Sequence, residues 1–252
     1  MTTTTRVDTI APITRTEAQV LAATEYARFG DQLRTLAHDD WTKPTDCSLW
    51  DVRAVAGHCV AMMADFTSYQ SLMRRMRAAT KAAKKTGGPF IDAMTAMQVA
   101  DYEPSSTSEL IAQAEQAGPR AARWRAKAPR LFRRMPMKQD VAGRTETWRM
   151  GYLLDTILTR DPWMHRIDIA RATGRDLVLS GDHDGRIVAD VVAEWARRHD
   201  QPFTLTLTGP AGGAFVAGDD PGEHLTLDAI EFCRTLSGRA HGDGLLTQEV
   251  PF

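Results

Sequence analysis

The scarcities of this sequence narrow its possibilities first. Cysteine is sparse: Cys47, Cys59 and Cys233 are odd in number and contain no CxxC pair, which argues against a disulfide framework. No apolar run approaches the roughly 20 residues that a bilayer-crossing helix needs. Net charge is almost nil, with 31 Lys and Arg against 32 Asp and Glu, so nothing draws the whole chain towards nucleic acid or a membrane. The opening, Met1 to Thr14, is threonine-rich without the apolar segment of a signal peptide, and reads as a frayed tail. No repeat of solenoid length is present. A soluble, cytoplasmic protein is the expectation. Its 252 residues, 43% hydrophobic and 25% charged, suffice for one large or two modest domains with their own cores.

The first two thirds read as helices. From Thr16 to about Ala37 the apolar positions Val20, Leu21, Ala27, Leu33 and Leu36 share one broad face. A loop with Trp41 and Pro44 follows, and Ser48 with Asp51 resembles a helix entry. The next helix is expected to be long, Leu49 to about Ala79, with Val52, Val55, Cys59, Val60, Met63 and Phe66 as its stripe and His58 beside it. Lys81 to Gly88 reads as a polar connector, and Pro89 to about Ala100 as a shorter helix. Ser106 and Glu109 make a capping box for a helix through about Lys127, which Gly118-Pro119 should bend. Ten Lys or Arg against two acids lie between Arg120 and Arg149. Without a recognition motif or aromatic platform this reads as a solvated or anion-steering face, not a nucleic-acid site.

After Gly174 the texture changes. Gly181 to about His199 is helical, Phe203 to Leu207 alternates as a half-buried strand, and Gly209 to Gly213 turns into a second strand at Ala214 to Ala217. Thr226 to Leu236 reads as a last helix ended by Gly238. The fold class is therefore α+β: a helical bundle over residues 1–175 and a small α+β domain over 176–252.

The stretch Gly151 to Arg175 holds the one close acid-and-histidine cluster in a helical pattern. Asp161 and His165 stand four apart, one turn from each other on one face. Pro162 should restart or kink the helix with Asp161 near its N-cap, and Gly174 should stop it. Bundles commonly build metal sites from facing helices, so His58, Asp161 and His165 could form a three-ligand set with one position open. The plainer alternative has His58 bonded within the core and Asp161 serving only as a cap. Asp168, three past His165, would orient that imidazole or compete as a ligand.

The segment Asp40 to His58, with Trp41, Pro44, Thr45, Cys47, Trp50, Asp51, Val52 and His58, resembles the N-terminal domain of the mycothiol-dependent maleylpyruvate isomerase family. Leu205 to Arg239, with Gly209, Gly212, Gly213 and Ser237-Gly238-Arg239, is similar to that family's smaller C-terminal domain. The resemblance implies a DinB-like four-helix bundle whose metal is held by His58, Asp161 and His165; the family's carboxylate position carries Glu, where this chain has Asp. It also implies that Arg239 serves the substrate. A divalent cation, zinc first, and mycothiol or a similar thiol would then act on a small electrophile, by isomerisation or S-transfer. Arg239 would hold a substrate carboxylate. The alternative on the same fold is a non-catalytic module binding a small molecule, a lipid included, or a metal.

Overall fold

The computed structural model describes residues 3–220 and 222–252. In chain order they form β1 (Thr4–Arg6), α1 (Arg15–Thr35), α2 (Val52–Asp65), α3 (Tyr69–Thr86), α4 (Phe90–Tyr102), α5 (Thr107–Lys127) and α6 (Arg130–Arg134). Then come β2 (Pro136–Val141), β3 (Arg144–Arg149), α7 (Met150–Tyr152), a π-turn at Leu153–Ile157 and α8 (Leu158–Thr173). The chain ends with α9 (Arg186–His199), β4 (Phe203–Thr208), β5 (Gly213–Ala217), β6 (Glu223–Asp228) and α10 (Ala229–Leu236). Two compact units result. The larger comprises Arg15–Gln139 and Thr147–Leu177; the smaller comprises the N-terminal residues up to Thr14, Asp140–Glu146 and Val178–Phe252. No helix among the described residues is long and apolar enough to cross a membrane.

The larger unit is a bundle. Helices α1, α2, α5 and α8 meet around a core that includes Tyr26, Phe29, Leu33, Val55, Cys59, Met63, Leu110, Ala121, Leu158 and Ile169. Ser106 and Glu109 close the capping box at the start of α5, as their spacing requires. Gly118 lets α5 approach α1: a Cβ there would lie 2.8 Å from Tyr26 Cβ. Helix α8 ends on Gly174 in the left-handed conformation at φ 70.

Several boundaries differ from the reading of the sequence. The single long second helix is two, because Ser68 in extended conformation caps a new start, accepting from Ser71 N at 3.1 Å. Helix α3 then runs through the supposed connector at Lys81, whose Lys and Ala residues favour helix, and stops at Gly87. Asp51, not Ser48, caps α2, accepting from Ala54 N at 2.8 Å. The basic stretch contains a β-ribbon, β2 and β3, joined at Ala142 and Gly143, both with positive φ.

The smaller unit carries a four-stranded sheet in the order β1-β5-β4-β6. Strands β4 and β5 form the expected antiparallel hairpin, while β6 joins β4 and β1 joins β5 in parallel. From Thr4 onward the N-terminal segment is thus not a frayed tail, since Thr4, Thr5 and Arg6 pair with Ala214, Phe215 and Val216; Met1 and Thr2 lie outside the described residues. The last helix starts three residues later than read, because Glu223–Asp228 is a strand and Asp228 then caps α10 through Ile230 N and Glu231 N. Trp195 of α9 packs on Phe203 and Phe232, with ring centroids 4.7 and 5.3 Å away.

Between Gly174 and Ser180 the chain has no helix or strand, and Val178 is exposed. Limited proteolysis should therefore cut first within residues 174–180. First cuts inside α2 or α5 would contradict a stable bundle.

Candidate metal centre

The site in the larger unit is built from α2, α8 and the loop before α2. His58 lies in the second turn of α2, buried four residues before the buried Met62. Asp161 and His165 are one turn apart on α8. Helix α8 begins at Leu158, so Asp161 belongs to its first turn and is not the N-cap the sequence suggested. Pro162 sits inside the helix, and the irregularity precedes it, in the π-turn at Leu153–Ile157. A helix adapts to a proline when other groups take the freed carbonyl, and here Leu158 O accepts from Tyr26 OH at 2.8 Å.

The three predicted ligands come together. His58 Nε2 is 3.4 Å from both Asp161 oxygens, and His165 Nε2 is 3.5 Å from Asp161 Oδ1. The two imidazole centroids are 5.2 Å apart, and one donor atom from each of the three residues lies within 4.8 Å of the others. Two donors held about 2.0–2.1 Å from one zinc ion at a tetrahedral angle are roughly 3.3 Å apart. The spacing therefore fits a shared cation with little movement, and the donor set of two imidazoles and a carboxylate suits a divalent ion such as zinc. One carboxylate oxygen, Asp161 Oδ2, is buried with no hydrogen-bond donor among the described residues, as a group awaiting a cation would be.

Asp168 stands behind His165. Its Oδ2 is 2.9 Å from His165 Nδ1, and its side chain is fully buried. That bond fixes the ring so that Nε2 faces Asp161. Two neighbours carried no assigned role in the sequence reading. Cys47 Sγ lies 3.6 Å from Asp168 Oδ2 and 3.9 Å from His165 Nδ1, and the Trp50 ring covers both imidazoles at centroid distances of 5.0 and 6.1 Å. Both belong to the Asp40–His58 motif, but their approach to the site depends on how their loop is tied down. Pro44 bridges Asp51, and the Asp40 carboxylate binds Lys43 Nζ at 2.8 Å and Arg175 Nε at 2.9 Å. Lys43, the Ala37 amide and Arg175 hold the Asp40 pKa down at about 2.

A further residue escaped the sequence reading altogether. Arg125, within the supposedly solvated basic stretch, is only 2% exposed and bonds the backbone of the π-turn. Arg239 belongs to the smaller unit, where it lines a cavity of about 470 Å³ with Thr235, His241, Thr247 and Glu249.

A two-histidine, one-carboxylate cluster inside a helical bundle, in a chain with a second small α+β unit, defines the class of protein. The model of the mycothiol maleylpyruvate isomerase N-terminal domain matches residues 22–170, more than half of the chain. The chain belongs to that family. Among solved structures it is similar to the mycothiol-dependent maleylpyruvate isomerase, at 19% identity over 98% of both chains with a TM-score of 0.53. A histidine-to-alanine mutant of the mycothiol-dependent maleylpyruvate isomerase is similar at 17% identity, over 94% of this chain and 92% of that one, with a TM-score of 0.52. These likenesses extend the shared fold, a helical bundle with a small α+β domain, to nearly the whole chain. No curated protein matches the chain by sequence.

Charge in the cluster is settled by competition. Burial pushes the Asp161 pKa up, but the His58 and His165 imidazoles outweigh it and leave the group far below its usual 3.8. Burial pushes the His165 pKa down, and Asp161, then Asp168 and Cys47, raise it well above 6.5. The depressed carboxyl contributes stability above pH about 3.8 that is lost in acid. The raised imidazole contributes stability that is complete below about 6.5 and is lost as pH rises through its folded value. Metal-free protein should thus gain most from this cluster between about pH 4 and 6.5. Urea denaturation of metal-free protein across pH should show that maximum, and Asp161→Asn should flatten it. A parallel profile for the variant would show that the cluster is not the source.

Proposed function

We propose that this protein is a metal-dependent enzyme that uses mycothiol or a similar low-molecular-weight thiol on a small electrophile, by isomerisation or S-transfer. The observation that supports it is the convergence of His58 Nε2, Asp161 and His165 Nε2 at spacings of 3.4–3.5 Å, in a family named for a thiol-dependent isomerase. His58, Asp161 and His165 would hold the cation, leaving a coordination position open. A divalent cation there supplies the positive charge that keeps a thiol as its reactive thiolate near neutral pH.

The remaining work falls to the chain's own groups. Asp168 accepts the Nδ1 proton of His165, so that imidazole presents Nε2 in one tautomer. His165 must give up a proton before it can act as a ligand, so metal uptake releases a proton and strengthens with rising pH. The Trp50 ring lies over both imidazoles and keeps water from that side. A thiolate added to an activated double bond permits rotation and can then depart, which is isomerisation; displacement of a leaving group gives S-transfer instead. Arg239 is assigned to a substrate carboxylate, which its guanidinium can grip with two parallel hydrogen bonds.

The test is thiol consumption and product formation across a panel of electrophiles, after chelation and with metal added back. Turnover should vanish on chelation and return with zinc. His58→Ala should lower zinc affinity by more than the roughly 10–100-fold typical of an outer-sphere change, with the helical circular dichroism signal nearly unchanged. Stoichiometric zinc in the variant, or no metal-stimulated turnover with any thiol, would refute the reading and favour a non-catalytic binding module.

A further inference from the structure

Two backbone carbonyls in the segment that leads into Asp161 and His165 lack their helical donors. A regular helix would send the Leu158 N–H to Leu154 O, but here it goes to Leu153 O and Thr156 O. Pro162 has no N–H to offer Leu158 O. Both oxygens lie in the bundle interior, where an unpaired carbonyl carries the full cost of its lost water.

One side chain from another helix takes both. Arg125 of α5 donates through Nε to Leu154 O at 2.7 Å, with Nη2 joining the same oxygen. Its Nη1 reaches Leu158 O at 3.0 Å, and Nη2 also bonds Thr159 Oγ1 at 2.9 Å. Tyr26 of α1 donates its hydroxyl hydrogen to Leu158 O at 2.8 Å and accepts from Arg125 Nη1. Only a guanidinium offers five donors in a fixed fork, which suits two carbonyls one helical turn apart.

The π-turn matters to the site because of where it sits. An extra residue in the helical repeat rotates everything after it by about 100° relative to a regular continuation. Asp161 and His165 come directly after that turn, and His58 faces them from α2 at 3.4 Å and at a 5.2 Å ring separation. If the turn relaxed to regular helix, these two side chains would swing off the His58 line.

We propose that Arg125, assisted by Tyr26, is the positioning residue of the His58–Asp161–His165 centre, holding the π-turn whose register aims the two α8 ligands at His58. The proposal rests on the metal reading above, but it has a consequence that does not depend on it. A purely structural arginine would lower stability and leave the zinc affinity of the folded protein alone; a positioning arginine changes that affinity.

The test compares full-length wild type, Arg125→Met and Arg125→Lys by zinc competition against a chromogenic chelator, together with amide hydrogen exchange over residues 153–165 in metal-free protein. Arg125→Met should bind zinc about 10–100-fold more weakly, Lys should recover part of the loss, and exchange in the 153–165 segment should quicken in the Met variant. A folded Met variant with wild-type zinc affinity and unchanged exchange overturns the proposal. If the wild type itself takes up no zinc, the metal reading fails, and the exchange result still decides the positioning role: unchanged protection overturns it. Should Arg125→Met not fold, Tyr26→Phe replaces it, with a smaller weakening in the same direction expected, and an unaltered affinity and exchange there is equally decisive against it.

Discussion

A carboxylate enclosed among helices must find positive charge, and that requirement organises the larger unit. Asp161 lies between two imidazoles, each 94% or more buried, and a second acid, Asp168, backs one of them. Leaving such a group unpaired would cost several kcal/mol, a large share of the roughly 5–15 kcal/mol that holds a domain together. Positive charge answers the cost: against the effect of burial, Asp161 and Asp168 on either side of His165 raise its pKa. The proposed function has a divalent cation take the proton's place among the same three side chains.

The same economy of buried groups recurs below the site. Glu25 and Arg166 pair at 2.8 Å in the core, and Gln32 donates to Arg166 O at 2.9 Å. These bonds tie α1 to α8, so the helix bearing two candidate ligands is fixed along its length by polar contacts as well as by packing. Its N-terminal end is fixed by Arg125 and Tyr26 and its C-terminal end by the Gly174 cap and the Arg175–Asp40 pair. A site that needs distances held to a few tenths of an ångström is thus carried on an element anchored at both ends.

What was legible in the sequence was what local chemistry decides. The Ser106–Glu109 box, the Gly174 stop, the alternation of Phe203 to Leu207 and the one-turn spacing of Asp161 and His165 each follow from short-range geometry, and each appears as read. Where two local signals competed, the reading failed. The apolar stripe continuing past Phe66 concealed the cap at Ser68, and the helical spacing after Thr226 concealed the alternation of Leu225 and Leu227 in β6. Strand β1 was invisible for another reason: three residues form a strand there only because Ala214 to Val216, more than two hundred positions away, offer an edge. Arg125 was misread because composition describes a stretch, whereas burial singles out one residue in it.

The two imidazoles of the centre are unequal, and the inequality bears on how such a site can work. His165 has its second nitrogen bonded to Asp168, so its tautomer and ring plane are set by the protein. His58 Nδ1 is buried with no hydrogen-bond partner among the described residues, and its ring is steadied by Trp50 at 5.0 Å. Stacking restrains a ring's plane more loosely than a short hydrogen bond fixes its direction. His165 and Asp161, one turn apart on a doubly anchored helix, therefore form the rigid half of the centre, and His58 the half that can tilt. Under the proposed function the site accepts a thiol at an open position and later releases it, which calls for one donor able to shift while the others stay in place. In that reading the shift belongs to His58 on α2, whose Nδ1 has no hydrogen-bond partner among the described residues.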